Sequence, residues 1–284
     1  MNKLILIAIL ALSALLLGAG CSTLTPVDAL NAVLPSSGYT QQSLKYGGLP
    51  RQALDIYRPK LAKPNAPPIL FVYGGAWREG DKKDYVFVAH ALTSLGHTVI
   101  IPNYRLYPQV QYPAFVQDLA QALAYTERNA PQLLGRPLER FIVMGHSSGA
   151  HTAALLATRP HYLRAQGVSA KLVGLIGMAG PYDLPLDLPE VSQVFGAVTA
   201  DQVKPPINIP VNMPRSLLLH GAADDRVIPR HTQVFAESLA QAGHAVGVKI
   251  YPKVDHVKLL AGLAQPLRAL SPSYDAIAQF LASY

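Results

Sequence analysis

The sequence lacks the disulfides that stabilise many small secreted domains, and it has few charged residues. Its 284 residues include a single cysteine, Cys21, so no internal disulfide can form. Charged residues make up 14% of the chain and hydrophobic residues 50%. An intrinsically disordered chain needs low hydrophobicity and high net charge, so that class is excluded. A chain of this length buries ~75% of its unfolded surface and needs no disulfide or metal to hold its core.

Runs of basic residues are also lacking, although the net charge is +7. Lys82–Lys83 is the only adjacent basic pair, and no basic run with interleaved aromatic residues occurs. Such a run is the usual footprint of nucleic-acid binding, so nucleic acid is not expected as a partner. The sequence has no metal-ligand cluster, P-loop or dinucleotide-binding glycine motif, so neither a cofactor nor a metal site is predicted.

Residues 1–21 have the pattern of an export signal. A positively charged start is followed by an apolar stretch from Leu4 to Leu17, interrupted only by Ser13, and then by small residues before Cys21. This stretch is shorter than the ~20 apolar residues of a membrane-spanning helix, which disfavours a retained spanning anchor. Export of the mature chain is therefore predicted.

The end of the signal, Leu17-Gly18-Ala19-Gly20-Cys21, resembles that of bacterial lipoproteins. The resemblance implies that Cys21 is acylated and anchors the protein to a lipid membrane, facing the periplasm or the cell exterior. One departure is Gly18, since lipoprotein signals usually have leucine three residues before the cysteine. A soluble periplasmic or secreted protein is the alternative.

The mature chain divides into a polar segment and one large domain. Residues 22–50 are turn-rich and are predicted to form a tether that leads into the first strand, before a domain that spans residues 51–284. In that domain, apolar runs alternate with helical patterns. The predicted strands are Ala53–Tyr57, Ile69–Tyr73, Thr98–Pro102, Phe141–Met144, Leu172–Met178, Ser216–His220 and Val246–Tyr251, and the predicted helices include Asp84–Leu95, one beginning at Pro113, Ala150–Thr158, Thr232–Ala242 and Ser271–Leu281.

This alternation predicts an α/β fold with a doubly wound, mostly parallel sheet. Runs such as Ile69-Leu70-Phe71-Val72 are continuously apolar, which is typical of strands covered on both faces. Residues 181–214 contain many prolines and break the alternation. They are predicted to form a small lid insertion over one end of the sheet.

The segment Gly145-His146-Ser147-Ser148-Gly149 lies between a predicted strand and a predicted helix. A G-x-S-x-G motif in this setting is the nucleophile elbow, a sharp turn that lifts the serine side chain out of the sheet. Ser147 is therefore the predicted nucleophile. Ser148 is a competing serine, but it lies where the backbone N–H rather than the side chain is expected to act.

Serine needs a neighbouring base, and in this fold the acid and then the histidine follow the nucleophile along the chain. Asp224 follows the strand that ends at His220, and His256 comes one strand-helix-strand unit later, again in a loop after a strand. They are the predicted acid and base. Asp225 and Asp183 remain alternatives for the acid.

Three further histidines lie close to these motifs. His146 and His151 flank the elbow and are expected to shape the pocket, whereas His220 is expected to be packed or hydrogen-bonded rather than catalytic.

Gly74-Gly75-Ala76-Trp77 follows the strand Ile69–Tyr73, where the fold places a glycine-rich turn whose N–H groups face the nucleophile. The N–H groups of Gly74, Gly75, Ala76 and Ser148 are the candidate donors of an oxyanion hole. Trp77 and Tyr182, in this turn and in the insertion, are the candidate substrate-binding residues.

These segments, with Asn103-Tyr104-Arg105-Leu106, resemble the α/β-hydrolase esterases of the hormone-sensitive-lipase-like and kynurenine-formamidase-like branch. The resemblance covers residues from about 50 to 284. One departure is Tyr73, since these proteins commonly begin the oxyanion turn with histidine, so the hydrogen bonds that support the turn must be arranged differently. The resemblance also implies a structural Asp118 paired with Arg105.

The predicted function is hydrolysis of carboxylic esters with short to medium acyl chains through an acyl-enzyme. Arylformamidase or other amidase chemistry on the same triad is an alternative. An inert, membrane-tethered binding lipoprotein is another, although it predicts a disabled triad. The expected partners are a small ester or amide substrate and a lipid membrane, and the oligomeric state stays open.

Overall fold

The computed structural model describes residues 25–284, so the predicted signal and Cys21 lie outside the described residues. One eight-stranded sheet runs through the molecule in the order β1-β2-β4-β3-β5-β6-β7-β8. The strands are β1 Tyr39–Lys45, β2 Ala53–Pro59, β3 Ile69–Val72, β4 Val99–Pro102, β5 Arg140–His146, β6 Lys171–Met178, β7 Arg215–Gly221 and β8 Val246–Tyr251. Strand β2 runs antiparallel to β1 and β4, and the remaining neighbours are parallel. The predicted fold class is confirmed.

Helices cover both faces of this sheet, as the continuous apolar strands predict. Every residue of β3 and β4 is buried, because helices or loops exclude water on each side. The α-helices are α1 Pro26–Ala32, α2 Val86–Thr93, α3 Ala114–Arg128, α4 Ala130–Leu134, α5 Ser148–Thr158, α6 His161–Ala165, α7 Pro189–Phe195, α8 Ala200–Val203, α9 Arg230–Gln241, α10 His256–Ala261 and α11 Ser273–Leu281. Short 3₁₀ helices span Lys82–Tyr85 and Gln265–Leu270.

Glycines end two of the predicted helices. Gly96 has φ +83° after α2, and Gly243 has φ +80° after α9. Only glycine adopts this left-handed backbone without a steric cost, so the chain turns there. Across residues 25–284, no helix combines the length and the apolar character that a membrane crossing requires.

Residues 25–50, which belong to the segment predicted as a tether and entry strand, hold α1 and the edge strand β1. Thr25 and Asp28 form a reciprocal capping box that begins α1. Strand β1 pairs with β2 along its whole length, but most of its side chains are exposed. An exposed edge strand lacks the alternation of apolar residues that marks a strand in a sequence, so its bounds are seen only in the structure.

The proline-rich insertion, residues 181–214, is bonded to helix α5 and to the residue that follows it. His151 of α5 donates from Nε2 to the carbonyl of Val203 at 2.7 Å. The buried Arg159 guanidinium donates to the carbonyls of Asp201, Lys204 and Ile207. The insertion is thus fastened to the body of the domain at its second helix, α8.

Candidate active site

The nucleophile elbow is a strained turn between β5 and α5. Ser147 has φ 57° and ψ −130°, a backbone conformation that non-glycine residues rarely adopt. The turn is fixed by the Ser147 N–H, which donates to the carbonyl of Met178 at 2.8 Å. The Ser147 side chain is half-buried. A serine held at such a turn stands free of the sheet, as the sequence motif predicts.

The two glycines of the motif are needed for close backbone contacts. A Cβ atom on Gly145 would lie 2.3 Å from the carbonyl oxygen of Gly149, and one on Gly149 would lie 2.1 Å from that of Val72. Real Cβ atoms do not approach other atoms so closely. Helix α5 can therefore pack on β3 and β5 only if both positions are glycine.

The structure brings Asp224 and His256 into direct contact. The His256 Nδ1 atom lies 2.7 Å from Asp224 Oδ2, and both side chains are almost completely buried. Asp224 follows β7 and His256 begins α10 after β8, so the two residues meet at the carboxyl edge of the parallel strands. With Nδ1 donating to the carboxylate, Nε2 is the nitrogen left to accept a proton.

Asp224 is held in its ionised form. Burial would raise its pKa, but hydrogen bonds from His220, His256 and the Val227 N–H outweigh burial and keep the pKa well below its ordinary value. The Oδ1 atom accepts the N–H groups of Arg226 at 3.0 Å and Val227 at 2.9 Å. A carboxylate fixed in this way can orient an imidazole and stabilise its positive charge.

His220 supports the acid loop and is not a second base. Its Nε2 donates to the carbonyl of Val227 at 2.7 Å and lies 3.4 Å from Asp224 Oδ2, while Nδ1 lies 2.7 Å from Thr232 Oγ1. Since a carbonyl only accepts, Nε2 carries the proton. The structural role predicted for His220 is confirmed.

The alternative acids lie elsewhere. Asp225 is exposed. Asp183 pairs with Lys204 at 2.7 Å, within the insertion. Asp224 is therefore the carboxylate that reaches His256.

His146, the residue directly before Ser147, lies against His256. The His146 ring lies 4.7 Å from the His256 ring, centroid to centroid, and His146 Nε2 lies 3.2 Å from the His256 carbonyl oxygen. In the part of the chain that the structure describes, the Ser147 hydroxyl makes no hydrogen bond to His256. Catalytic hydrogen bonds of this kind often tighten only when substrate binds.

The predicted oxyanion turn lies against the nucleophile. A Cβ atom on Gly74 would be 2.9 Å from Ser147 Cβ. The turn is tight, with φ +118° at Gly75 and 50° at Ala76, and the Gly75 carbonyl accepts the N–H groups of Arg78 and Glu79, three and four residues later. Between residues 25 and 284, no backbone carbonyl accepts the N–H of Gly74, Gly75 or Ala76. Ser148 begins α5, where helices leave N–H groups unpaired.

The turn is supported by Tyr73, at the position where the family resemblance predicts histidine. The Tyr73 hydroxyl donates to Asn103 Oδ1 and accepts from Arg51 Nη2, each at 2.8 Å. Its ring stacks between Tyr85 and Tyr104, at centroid distances of 5.1 and 4.7 Å. The sequence gives no signal for Arg51, since no motif contains it and its partners lie in other elements.

The structure differs from the prediction at both candidate substrate-binding residues. Tyr182 is 0% exposed and packs on Phe235, so it presents no surface to a substrate. Trp77 is 5% exposed, and its Nε1 donates to Thr152 Oγ1 at 3.0 Å. A large aromatic side chain in a loop can line a pocket or pack in the core, and the sequence does not distinguish the two. Both of these side chains pack in the core.

The pairing of Arg105 with Asp118 is confirmed. The guanidinium donates from Nε and Nη2 to the two oxygens of the buried Asp118 carboxylate, each at 2.8 Å. This bidentate pair fixes α3 to the loop after β4.

A mostly parallel sheet with the G-x-S-x-G turn after β5, an aspartate after β7 and a histidine after β8 defines the fold class: the chain has the α/β-hydrolase fold. A profile of the BD-FAE family matches residues 54–186. Comparison with curated proteins and with solved structures agrees with this class.

Two relatives are similar in sequence. A probable isoprenylcysteine alpha-carbonyl methylesterase of Arabidopsis thaliana is 28% identical over 257 residues, which cover 82% of this chain and 60% of the relative. The kynurenine formamidase of Drosophila melanogaster is 32% identical over 152 residues, which cover 52% of this chain and 47% of that enzyme. The chain thus spans about 60% of the length of the methylesterase.

Among solved structures, an inhibited esterase B of Lactobacillus rhamnosis is similar in fold. It superposes with a TM-score of 0.75 over 98% of this chain and 96% of its own, at 20% sequence identity. At this identity the likeness concerns the fold.

Proposed function

We propose that the protein is a serine hydrolase that cleaves carboxylic esters through an acyl-enzyme, with Ser147, His256 and Asp224 as the triad. The observation that carries the proposal is the 2.7 Å contact between His256 Nδ1 and the ionised Asp224, at the sheet edge that also holds the strained Ser147 elbow. Sequence similarity to a methylesterase supports the same reaction type.

The reaction proceeds in two halves. Ser147 Oγ attacks the ester carbonyl while His256 Nε2 takes its proton, and the N–H groups of Gly75, Ala76 and Ser148 stabilise the oxyanion. The alcohol leaves with the proton from His256, which forms the acyl-enzyme. A water molecule then attacks the acyl carbon and gives its proton to His256, and the carboxylic acid leaves as Ser147 regains its proton. Asp224 stabilises the imidazolium in both halves.

The test is hydrolysis of a short-chain nitrophenyl ester by Ser147→Ala. Loss of the nucleophile should lower kcat at least ~10⁴-fold. Ser283→Ala is a matched control, because Ser283 bonds Arg215 at the amino end of β7, the end of the strand away from Asp224. Full activity in Ser147→Ala would contradict the proposal.

Amide cleavage on the same triad is the second candidate, and the similarity to a formamidase over half of the chain favours it. The two substrates differ in the leaving group, since an amine leaves only when His256 protonates it. Side-by-side kcat/KM values for N-formylkynurenine and for short esters separate them. An ester value that is higher by tenfold or more supports the esterase.

Acylation of Cys21 and membrane anchoring belong to the same proposal, and the support for them is that the lone cysteine ends a predicted export signal. Cells fed labelled palmitate should label the wild-type protein and not Cys21→Ser, which should leave the membrane fraction. Equal fractionation of the two proteins would contradict anchoring through this residue.

A further inference from the structure

His146, one of the two variable residues of the G-x-S-x-G motif, adjoins the nucleophile, the oxyanion turn and the base of the candidate site. It is the last residue of β5 and directly precedes Ser147. Its carbonyl oxygen lies 3.0 Å from the place where a Cβ atom on Gly74 would stand, which puts it against the oxyanion turn. Its ring faces the base, with the centroids of the His146 and His256 rings 4.7 Å apart.

The ring of His146 is bonded to the backbone of the base. Its Nε2 lies 3.2 Å from the carbonyl oxygen of His256, and a carbonyl can only accept, so His146 carries its proton on Nε2. The ring is buried, and burial followed by the charge of His256 lowers its pKa to about 3. His146 is therefore a neutral donor with a fixed tautomer, not a second proton carrier.

Among the described residues, two other bonds from outside α10 hold this segment, and neither comes from the elbow: the Ala223 N–H donates to the carbonyl of Val254 at 3.0 Å, and Ser273 Oγ donates to that of Leu259 at 2.8 Å. Asp255 caps α10 by accepting the N–H groups of Val257 and Lys258 at 3.1 and 2.8 Å. That cap shapes the first turn of α10 but does not tie the turn to the elbow. The bond from His146 makes this tie, across 110 residues of sequence.

We propose that His146 is a positioning residue that sets the spacing between the Ser147 hydroxyl and the His256 ring, by holding the first turn of α10 against the nucleophile elbow. The proposal rests on the proposed function. Its chemical consequence concerns proton transfer. A base that is displaced by a fraction of an ångström loses general acid–base catalysis, which contributes ~10²–10⁴-fold in rate, while substrate binding is unaffected.

The test compares His146→Phe, which keeps a planar ring but loses the donor, with His146→Gln, which keeps a donor. Two butyrate esters separate positioning from folding. A nitrophenolate leaves without a proton, whereas an alkoxide must receive one from His256. We expect His146→Phe to lower kcat ~10²-fold for the methyl ester and less for the nitrophenyl ester, with KM within about twofold. His146→Gln should regain part of the loss.

His97→Phe is the matched control. His97 is also a buried histidine that donates to a backbone carbonyl, that of Pro67 at 2.9 Å, but it lies at the amino end of β3 and β4, away from the site. The variant His97→Phe should lower the thermal unfolding temperature as His146→Phe does, but it should leave kcat unchanged for both esters.

Equal losses on the two esters in folded His146→Phe, or no loss at all, would overturn the positioning role. If His146→Phe does not fold, ¹⁵N-histidine NMR of the wild-type protein tests the bond itself, and an Nδ1–H tautomer of His146 would overturn it. A wrong proposed function would give a different result, because Ser147→Ala and His256→Ala would then remain active. If those variants are inactive and His146→Phe is not impaired, only the role of His146 is wrong.

Discussion

Asparagine at position 224 tests the acid of the proposed triad with the smallest change in shape. One carboxylate oxygen accepts the N–H groups of Arg226 and Val227, and the other contacts His256 Nδ1 at 2.7 Å and lies 3.4 Å from His220 Nε2. Asparagine offers one accepting oxygen and one NH₂ group. An NH₂ group cannot accept from the two backbone N–H groups of Arg226 and Val227. The amide oxygen therefore faces these N–H groups, and the NH₂ group faces His256.

This arrangement reverses the tautomer of the base. The NH₂ group donates to Nδ1 of His256, which moves the ring proton to Nε2. A ring protonated at Nε2 cannot accept the proton of Ser147. The same exchange in another Ser-His-Asp enzyme lowers kcat ~10⁴-fold, and we expect a loss of ~10³–10⁴-fold here, equivalent to ~4–5 kcal/mol in the activation barrier.

The assay is kcat for a nitrophenyl butyrate, with Asp225→Asn as the matched control. Asp225 is the next residue, is exposed and loses the same charge in this exchange. Asp225→Asn should stay within about twofold of the wild-type kcat, because surface charges are weakly coupled to buried groups. If Asp224→Asn keeps more than a tenth of the wild-type kcat, or if the two variants lose equally, the assignment of the acid is wrong.

Three further predictions concern stability and the oxyanion turn. Hydrogen bonds hold the pKa of Asp224 below its ordinary ~3.9, so its ionisation contributes stability that is present above that pH and is lost as the pH falls toward the folded-state pKa. The thermal unfolding temperature should therefore fall more steeply with acidification in the wild type than in Asp224→Asn. Gly149→Ala should lower the free energy of unfolding by ~3 kcal/mol or prevent folding, because its Cβ would collide with β3, whereas Gly38→Ala, where nothing lies within 4 Å, should be neutral in denaturant titrations. Tyr73→Phe should lower kcat ~10-fold, less than the ~10²–10³-fold for a lost oxyanion donor, and an unchanged kcat would contradict the support assigned to its hydroxyl.

The parts of the fold that the sequence predicts well are those where one physical effect dominates. Residues 69–72 are continuously apolar because helices cover both faces of β3. Gly145 and Gly149 are glycines because no other residue fits between the crossing backbones. Such positions allow one interpretation, so the buried strands and the elbow that follows β5 can be predicted from the sequence alone.

The parts that the sequence does not predict depend on partners far along the chain. Strand β1 is an exposed edge whose polar side chains, such as Ser43, bond to Asp55 of β2, so the partner that stabilises it is not visible in its own sequence. Arg51 supports Tyr73 across 22 residues, and no local pattern indicates it. Tyr182 fits equally well on a pocket wall and against Phe235, and packing decides between them.

The central claim is that Ser147 is the reactive nucleophile, activated by His256. A fluorophosphonate probe reacts with a serine only when a neighbouring base activates it, and peptide mapping by mass spectrometry locates the adduct. The account predicts one adduct, on Ser147, that disappears in Ser147→Ala and forms far more slowly in His256→Ala. An adduct on another serine, or labelling that is equally fast without His256, would contradict it.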